Sequence, residues 1–498
     1  MQALKFSLSQ VARDPVQSEI DAATDWIIVF NAQPGHRAMS EFPYAQVMQE
    51  RRGKLGITEP DREPVVMDLP NAAGSRVALA CIKADLDAFK LLTLARKLVA
   101  VCRARKASTV QAAIAGFDRA AADRIAEAII AATAAVAAQM PSFKHSKQPP
   151  VVLHSLKVYG IKARHGFRRT LAEAEGNAVA RYLSMLPANK LTPALYQKAI
   201  NKLAKDHGWK QEFLDEQALR RHKAGAFLAV AQGSPTHDAG IMRLTYRPKT
   251  GRGRRTLTLV GKGICFDTGG TNLKPAKHMQ GMHEDMQGSA VALGTLIALT
   301  RLQVNYTVEC WLALASNHIG PHAYKPNDVV TASDGTTIEI VHTDAEGRMV
   351  LADTLALASK NKPDLIIDYA TLTGACVYSL GSAYSGVFSN QPSFNPALIA
   401  AGKDSGERVW PFPMDEDYDS VLESNMADVK QCTIESEADH ILAARFLQRF
   451  VKGDVPWIHV DLAASSHKGG LAHIPTDTTG FGVRFTLNLL LDKKPIRL

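Results

Sequence analysis

The feature that most constrains the fold is an alternation of short apolar runs and helical patterns in the second part of the chain. The runs have the length and composition of buried strands, and they are Thr256–Val260, Thr307–Ala315, Leu365–Tyr369 and Trp457–Leu462. Helical spacing of apolar residues separates them at Ala290–Leu302, Met349–Ser359 and Ala438–Phe450. This alternation predicts an α/β fold with a mostly parallel sheet flanked by helices.

The first part of the chain repeats the alternation on a smaller scale. Its candidate strands are Asp25–Phe30, Val77–Ile82 and Val151–Tyr159, and its candidate helices are Phe89–Arg105, Phe117–Met140 and Thr170–Leu186. The polar stretch Pro141–Pro150 ends in two prolines and is typical of a surface connection. We predict a smaller N-terminal α/β domain (1–165, oligomerisation or regulatory), a linking helix (166–189) and a larger catalytic domain (190–498).

Composition points to a cytoplasmic protein without a membrane partner. The 498 residues suggest two or three domains with ample core. No apolar run reaches about 18 residues, and the N-terminus lacks the pattern of a secretory signal. The six cysteines show no CxxC spacing, which favours reduced and mostly buried thiols.

The positive charge of the chain is concentrated in its first part. Of the formal net charge of +9, residues 1–165 carry +7, because they hold 22 Lys and Arg against 15 Asp and Glu. A basic domain attracts nucleic acid or acidic surfaces. The simpler explanation is a solvated face with a few extra lysines, and we prefer it.

Three motifs gather acids, lysines and glycines in the second part, and they are Gly261–Gly270, Met282–Ser289 and Val341–Arg348. Their candidate metal ligands include four acids, Asp267, Asp285, Asp344 and Glu346. Four converging carboxylates in a partly dry cleft repel one another strongly, and two divalent cations would neutralise them. Oxygen ligands suit Mg²⁺ and Mn²⁺, and Zn²⁺ also accepts carboxylates. Paired metals can share a carboxylate, activate a water and polarise a carbonyl.

Each acid also has an ordinary structural explanation. Asp344 and Glu346, at i and i+2, would point to one face of an extended segment, with Gly347 allowing a turn and Arg348 opening a helix. An isolated Asp-x-Glu is more often found at a helix start. Asp267 alone would suit a turn, and Asp285 alone a helix cap. We favour the shared site because each motif follows a strand-like run.

Two lysines fit the same site. Lys262 stands between glycines, and beside a metal it could lose its proton and donate its amine as a ligand. Lys274, seven residues after Asp267, could stabilise a tetrahedral oxyanion as an ammonium. Without the acids nearby, either lysine would be read as a surface charge.

These motifs resemble the leucine aminopeptidase family of two-metal exopeptidases, also called the cytosol aminopeptidase family. The resemblance covers roughly residues 180–498, and its motifs are long and ordered. The matching stretches are Val260–Gly263, Phe266–Gly270, Leu273–Pro275, Asp285–Ala290, Thr343–Arg348, Ala370–Ala375 and Thr479–Arg484.

The resemblance implies a role for each matching position. One metal, the tighter, would be held by Lys262, Asp267, Asp285 and Glu346, and the exchangeable one by Asp267, Asp344 and Glu346. Lys274 would steady the scissile carbonyl oxygen. Arg348 would hold a bicarbonate that acts as general base on a metal-bridging water. The positions that would shape the first side-chain pocket or align the peptide are Met282, Thr371, Leu372, Gly374 and Ala463.

The resemblance therefore predicts a metallo-aminopeptidase that uses two Mn²⁺ or Zn²⁺ ions and a metal-bridged hydroxide to release N-terminal residues such as leucine from peptides. It also implies a homohexamer. The chain departs from the family pattern at His283, His342 and Ser466. Ser466 stands where a pocket-floor apolar residue is common, which weakens the case for leucine preference. The two histidines are expected around the metal ligands or at the surface.

Two other functions stay open at the level of sequence. A nucleic-acid-binding regulator would use the basic N-terminal domain, with two candidate patches that consist of Arg103, Arg105 and Lys106 and of Arg164, Arg168 and Arg169. No recognition-helix motif supports it. A narrow-specificity dipeptidase would share the catalytic residues of the main prediction and differ only in its substrates.

Overall fold

A computed structural model describes residues 4–32, 38–57, 60–145, 152–249, 255–435 and 437–498. The chain divides into two compact units. The N-terminal unit comprises residues 2–178 together with 468–477, and the C-terminal unit comprises 179–467 together with 478–498.

The N-terminal unit is an α/β layer structure. Its strands are β1 (Ser7–Val11), β2 (Asp25–Asn31), β3 (Val65–Asp68), β4 (Arg76–Ile82), β5 (Thr109–Ala115) and β6 (Ser155–Tyr159). Its helices are α1 (Gln17–Asp21), α2 (Ala45–Lys54), α3 (Ala88–Ala104), α4 (Arg119–Ala137) and α5 (Arg168–Ser184), the last of which crosses the boundary between the units.

The strands form one six-stranded sheet in the order β1-β6-β5-β2-β4-β3. All neighbours are parallel except β3, which runs antiparallel to β4 at the edge. The two faces of the sheet bury separate apolar cores, one of which contains the inward sides of α3 and α4. Asp87 and Asp118 cap these two helices by accepting hydrogen bonds from backbone N–H groups of the first turn.

The C-terminal unit is larger and carries eleven labelled strands among its described residues. They are β7 (Lys210–Asp215), β8 (Gly240–Tyr246), β9 (Thr256–Asp267), β10 (Thr307–Asn317), β11 (Val329–Thr331), β12 (Thr337–Glu339), β13 (Leu365–Ala370), β14 (Ser385–Ser389), β15 (Val409–Pro411), β16 (Val429–Lys430) and β17 (Trp457–Asp461).

The helices of this unit are interspersed with the strands. They are α6 (Pro193–His207), α7 (Glu216–Arg221), α8 (Gly225–Ala231), α9 (Ala276–Met279), α10 (Gln287–Leu302), α11 (Glu346–Ser359), α12 (Gly374–Leu380), α13 (Asn395–Ser405), α14 (Asp439–Gln448) and α15 (Val483–Asn488).

An eight-stranded sheet in the order β15-β14-β17-β13-β9-β10-β8-β7 organises this unit. Its four central strands, β17, β13, β9 and β10, are parallel. Strands β8 and β14 each run antiparallel to their central neighbours. The other three strands, β11, β12 and β16, form a small separate sheet.

Helices cover both faces of the central strands. On one face, alternate residues such as Val260 and Ile264 join the inward sides of α8, α11 and α14 in a large apolar core. On the opposite face α10 lies against the backbone of β9 and β13. A β-carbon at Gly261 would overlap the backbone of Ser289, and one at Gly288 would overlap the carbonyl group of Tyr369. Glycine therefore permits this close approach of helix and sheet.

The α/β fold with a mostly parallel sheet is confirmed, and so are the strands and helices predicted for the central layer. Helix α4 is shorter at both ends than the predicted Phe117–Met140. Within the predicted connection Pro141–Pro150, residues 141–145 are neither helix nor strand, and the remainder lies outside the described residues. The six cysteines are free and buried. In the described part of the chain, every helix is too short or too polar to cross a bilayer.

The tight contact at Gly288 predicts a sharp difference between two Gly→Ala substitutions. Gly288→Ala would force α10 away from Tyr369, and we expect a loss of about 1–3 kcal/mol in the free energy of unfolding. Gly53→Ala, in α2, meets no atom within 4 Å and should gain roughly 0.5–1 kcal/mol through helix propensity. Urea unfolding of both variants measures the difference. Equal stabilities would show that α10 does not pack this closely.

Candidate metal centre

The predicted site lies at the carboxyl edge of the central strands. Strand β9 ends at Asp267, and its neighbour β10 ends at Asn317. Strand β13 is followed directly by Thr371, and β17 ends at Asp461. Because parallel strands bring their carboxyl ends to one edge, these residues meet there, where α/β sheets place their ligand sites.

Lys262 reaches the site from inside β9. Its Nζ lies 2.8 Å from Oδ2 of Asp285 and 2.8 Å from Oε1 of Glu346. It also donates a hydrogen bond of 2.9 Å to the carbonyl oxygen of Thr371. A β-carbon at Gly347 would lie 2.7 Å from Cε of Lys262, so even alanine would crowd the lysine. The glycine after Glu346 thus makes room for a buried ammonium at the start of α11.

Lys274 forms a second cationic centre on the open side of the site. Its Nζ lies 2.9 Å from Oδ2 of Asp267 and 2.5 Å from Oδ1 of Asp344. Asp267 is 2% exposed and is held in place by two donors. Its Oδ1 accepts hydrogen bonds of 2.8 Å from the backbone N–H of Gly269 and from Nδ2 of Asn317.

The arrangement of the carboxylates suits a metal ion. Oxygen atoms of Asp267, Asp344 and Glu346 all lie within 4.8 Å of one another. Oε2 of Glu346 is buried and has no hydrogen-bond partner among the described residues. A buried carboxylate oxygen without a partner is strongly disfavoured, and a cation would satisfy it. Asp285 is not one of these three acids and is linked to them through Lys262, whose Nζ contacts both Asp285 and Glu346.

The positive charges of the protein itself do not balance the negative charges of the clustered acids. Burial and then the nearby Asp267 and Glu346 raise the pKa of Asp344 to about 7. Burial also raises the pKa of Asp285, against the opposing effect of Lys262. Burial lowers the pKa of Lys262, but Asp285 and Glu346 outweigh it, so the lysine pKa is raised. These directions show that the acids compete for cations, which divalent metal would supply.

The local structure corrects two predictions about the acids. Asp344 and Glu346 do not share one face of an extended segment, because α11 already begins at Glu346 and Gly347 lies inside its first turn. Asp285 does not follow a strand directly. It comes after the short 3₁₀ helix Met282–Glu284, at the approach to α10. The acids meet because helix starts, not only strand ends, face the same edge of the sheet.

The predicted substrate-contacting residues lie on two loops and on this 3₁₀ helix. Thr371 and Leu372 are half-buried between β13 and α12, and Gly374 is exposed as the first residue of α12. Ala463 is buried two residues after β17 ends. Met282 is half-buried as the first residue of the 3₁₀ helix. Oγ1 of Thr371 donates a hydrogen bond of 2.7 Å to Oδ1 of Asp285, which ties these residues to the metal centre.

Two neighbours inside the protein hold the guanidinium of Arg348. Its Nη2 lies 2.7 Å from Oδ1 of Asp439, and its Nη1 donates to the carbonyl oxygen of Gln431 at 3.1 Å. The guanidinium is 2% exposed, and the pKa of Arg348 is raised because Asp439 outweighs the opposing effect of burial. Arg348 thus fixes the first turn of α11 to the loop before α14.

The histidines at the positions of departure are half-buried, and the acidic cluster of Asp267, Asp344 and Glu346 contains neither of them within the described chain. Nδ1 of His342 faces the backbone N–H of Asp344 at 3.3 Å. Burial lowers the pKa of both His283 and His342. His342 therefore orients the Asp344 backbone as a neutral hydrogen-bond acceptor.

Sequence reasoning missed two residues that support the site. Asn317 donates to Asp267 and, at 3.0 Å, to the carbonyl oxygen of Thr343. Asp461 accepts hydrogen bonds from the loop that carries Thr371 and Leu372. Both are polar residues at or just beyond the carboxyl ends of predicted strands, and that position is the signal that would have found them.

Comparisons with known proteins agree with this geometry. Residues 178–487 match the model of the cytosol aminopeptidase family, catalytic domain. The chain is 38% identical over 426 residues to a protein of Polaromonas sp. described as a probable cytosol aminopeptidase, covering 85% of this chain and 82% of the relative. A Synechococcus sp. protein of the same description is 41% identical over 334 residues, or 66% of this chain and 67% of the relative.

A solved structure shares the fold along nearly the whole chain. It is a mutant of tomato leucine aminopeptidase, which superposes with a TM-score of 0.84 and 25% identity over 99% of this chain and 97% of that one. The likeness therefore extends beyond the acidic motifs and includes the N-terminal unit.

Asn317 gives a test of how the metal centre is supported. Asn317→Leu keeps the size of the side chain but removes the donor to Asp267. Residues that orient metal ligands typically contribute about 10–100-fold in affinity, and we expect Mn²⁺ binding to weaken by that factor. Calorimetric titration of the metal-free protein measures it. Asn390→Leu, in a residue that bonds Val455 and Trp457 instead, is the control, and equal affinities in both variants would contradict the assignment.

The raised pKa of Asp344 predicts a pH dependence of the metal-free protein. Because the folded-state pKa of about 7 exceeds the ordinary value of 3.8, the folded state holds a proton that the unfolded state releases between these values. Stability therefore falls as pH rises through that window. Asp344→Asn should raise stability at pH 8 by at least about 1 kcal/mol relative to pH 5. Urea unfolding in chelator tests this, and parallel pH profiles for variant and parent would refute it.

Proposed function

Because this chain belongs to the cytosol aminopeptidase family, we propose that its acidic centre cleaves the first peptide bond of peptides with the aid of two divalent ions. The family and the full-length structural likeness make the protein a metallo-aminopeptidase, an exopeptidase that acts at the N-terminal bond. The observation that carries the proposal is the convergence of Asp267, Asp344 and Glu346 beside one buried lysine, Lys262, and one half-buried lysine, Lys274.

The protein offers two overlapping sets of ligands. We assign Lys262, Asp267, Asp285 and Glu346 to the tighter ion, and Asp267, Asp344 and Glu346 to the exchangeable one. When bound, two Mn²⁺ or Zn²⁺ ions would polarise the scissile carbonyl and lower the pKa of a water. Lys262 would have to lose a proton to act as a ligand. The neighbouring acids oppose that loss until a cation replaces the proton.

The protein side chains account for the position of the substrate. From the family resemblance, Asp285 is proposed to accept a hydrogen bond from the free N-terminal amine, which would restrict cleavage to the first bond. The ammonium of Lys274, held by Asp267 and Asp344, is available to the oxygen that becomes negative in the tetrahedral state. Removing water from this edge of the sheet strengthens both interactions.

The general base is assigned to a bicarbonate near Arg348. Arg348 follows Glu346 by two residues, and its guanidinium is held by Asp439 and Gln431. Nε of Arg348 is buried and has no hydrogen-bond partner in the described part of the chain, so its N–H remains for an anion. Arg348 would hold this anion, which would supply a general base for the attacking water.

The substrate class is peptides with a free N-terminus, including those that begin with leucine. Met282, Thr371, Leu372, Gly374 and Ala463 are proposed to shape the first side-chain pocket or to align the peptide. Ser466, three residues after Ala463, is exposed, and its hydroxyl is proposed to lie at the rim of this pocket. A polar pocket rim disfavours a strict preference for leucine and leaves room for polar N-terminal residues.

The wider setting is proposed from family resemblance and composition. We propose a homohexamer with the N-terminal unit in an oligomerisation or regulatory role. The six buried thiols suit a reducing compartment such as the cytoplasm.

The nucleic-acid alternative gains no support from the N-terminal unit. One basic patch, Arg103–Lys106, ends α3 just before β5 begins, at the amino edge of the sheet. The other, Arg164–Arg169, follows the carboxyl end of β6. Because β5 and β6 are parallel, the two patches lie at opposite ends of the strands and do not form one surface. The dipeptidase alternative uses the same catalytic residues and is separated by substrates alone.

A substrate panel tests the proposed function. We expect the Mn²⁺- or Zn²⁺-loaded protein to release chromophore from leucyl, methionyl and alanyl anilides but not from N-acetyl-leucyl anilide, and chelation to abolish release. Glu346→Gln should lower kcat by at least about a thousandfold, because it removes a carboxylate shared by both ligand sets. Circular dichroism and thermal unfolding would check that the variant is folded.

Glu309→Gln is the matched control for this variant. Glu309 is a buried glutamate in β10 that pairs with Arg243 and lies away from the metal centre. Its substitution should leave kcat within a few-fold of the parent. Full activity in Glu346→Gln would remove Glu346 from the site. Cleavage of dipeptides alone, with none of the anilides cleaved, would favour the dipeptidase.

A further inference from the structure

One buried carboxylate connects the loops that carry the proposed substrate contacts. Asp461, the last residue of β17, is 1% exposed. Its Oδ1 accepts a hydrogen bond of 3.2 Å from the backbone N–H of Leu372, and its Oδ2 accepts one of 2.7 Å from Oγ1 of Thr373. Both donors lie in the loop after the neighbouring strand β13. The carboxylate therefore fixes this loop by two atoms rather than one.

The backbone of Asp461 also holds the second loop. The N–H of Ala463 donates to the carbonyl oxygen of Asp461 at 2.9 Å, and the N–H of Leu462 donates to the carbonyl oxygen of Ala370 at 2.8 Å. The chain after β17 is thus bonded back to its own strand end and to the end of β13. Asp461 is the residue that the two loops share.

The first loop is bonded to the acidic centre at its other end. The carbonyl oxygen of Thr371 accepts from Nζ of Lys262, and its hydroxyl donates to Asp285. Oγ1 of Thr373 accepts a hydrogen bond of 3.1 Å from the N–H of Cys376, in the first turn of α12. A shift at Asp461 would therefore move Thr371 relative to Asp285 and would release the start of α12.

We propose that Asp461 is a positioning residue, which selects among N-terminal side chains by holding these two loops at a fixed separation. The proposal rests on the aminopeptidase function proposed above. A carboxylate can accept from Leu372 and Thr373 at once, whereas an asparagine side chain has a single accepting oxygen. A buried hydrogen bond to a charged acceptor is also stronger than one to a neutral acceptor. Greater mobility of the two loops would make the pocket proposed between them less selective for the shape of the N-terminal side chain.

The test compares Asp461→Asn with substitutions of its partner. We expect Asp461→Asn to lower the ratio of kcat/KM for leucyl over alanyl anilide by roughly tenfold, mostly through KM, because pocket fit discriminates by about that factor. Thr373→Val, which removes the hydroxyl, should reproduce the change, and Thr373→Ser, which keeps it, should not. Hydrogen exchange of the peptide that spans residues 371–380 should accelerate in Asp461→Asn and Thr373→Val only.

Asp353→Asn is the matched control, since Asp353 is fully buried and accepts from two backbone N–H groups, those of Phe227 and Ser333. It should lower stability without altering the leucyl-to-alanyl ratio or exchange in residues 371–380. Unchanged exchange in Asp461→Asn would overturn the positioning of the loop. Faster exchange with an unchanged ratio would overturn the role in selectivity. A third outcome is that the parent protein cleaves no free-amine substrate while exchange in residues 371–380 still accelerates in Asp461→Asn and Thr373→Val. That result would refute the proposed function and would leave Asp461 only the role of holding the loop.

Discussion

The buried ammonium of Lys262 is the constraint on which the site depends. It lies inside a central strand, within 2.8 Å of both Asp285 and Glu346, and it bonds the carbonyl oxygen of Thr371. Three separate segments, the approach to α10, the start of α11 and the loop after β13, are therefore held around one charge. Loss of one partner of a buried ion pair typically lowers the free energy of unfolding by about 3–5 kcal/mol. Separating any of these segments from the lysine is therefore strongly disfavoured.

The glycines near this buried lysine permit close packing of helix and sheet. The backbone of α10 must approach β9 and β13 at Gly261 and Gly288, and the first turn of α11 must leave room at Gly347 for the aliphatic chain of the lysine. The glycine-rich look of the motifs thus has little to do with flexibility. It reflects close packing of two helix starts on a strand that carries a long side chain, and it explains why acids and glycines occur side by side in the sequence.

Much of the fold and the identity of the acids can be predicted from the sequence. Continuous apolar runs such as Leu365–Tyr369 belong to strands buried on both faces, and their period and length are readable without knowledge of partners. The edge strands and the small sheet of β11, β12 and β16 escaped prediction because they are short and partly exposed. The extended geometry predicted for Asp344 and Glu346 was wrong because the local pattern does not reveal that α11 begins at Glu346.

Their positions at strand ends mark the supporting residues as candidates, but their roles exist only between segments far apart in the chain. Asn317 is an ordinary asparagine until β10 is paired in register with β9, which brings it opposite Asp267. Asp461 likewise acquires its two donors only when β17 lies beside β13. The charge balance is also a property of the assembled site, because its four carboxylates and two ammonium groups carry a net charge of −2 when all are ionised. Burial, together with that deficit, raises the pKa of Asp344, and the deficit favours the binding of cations at the centre.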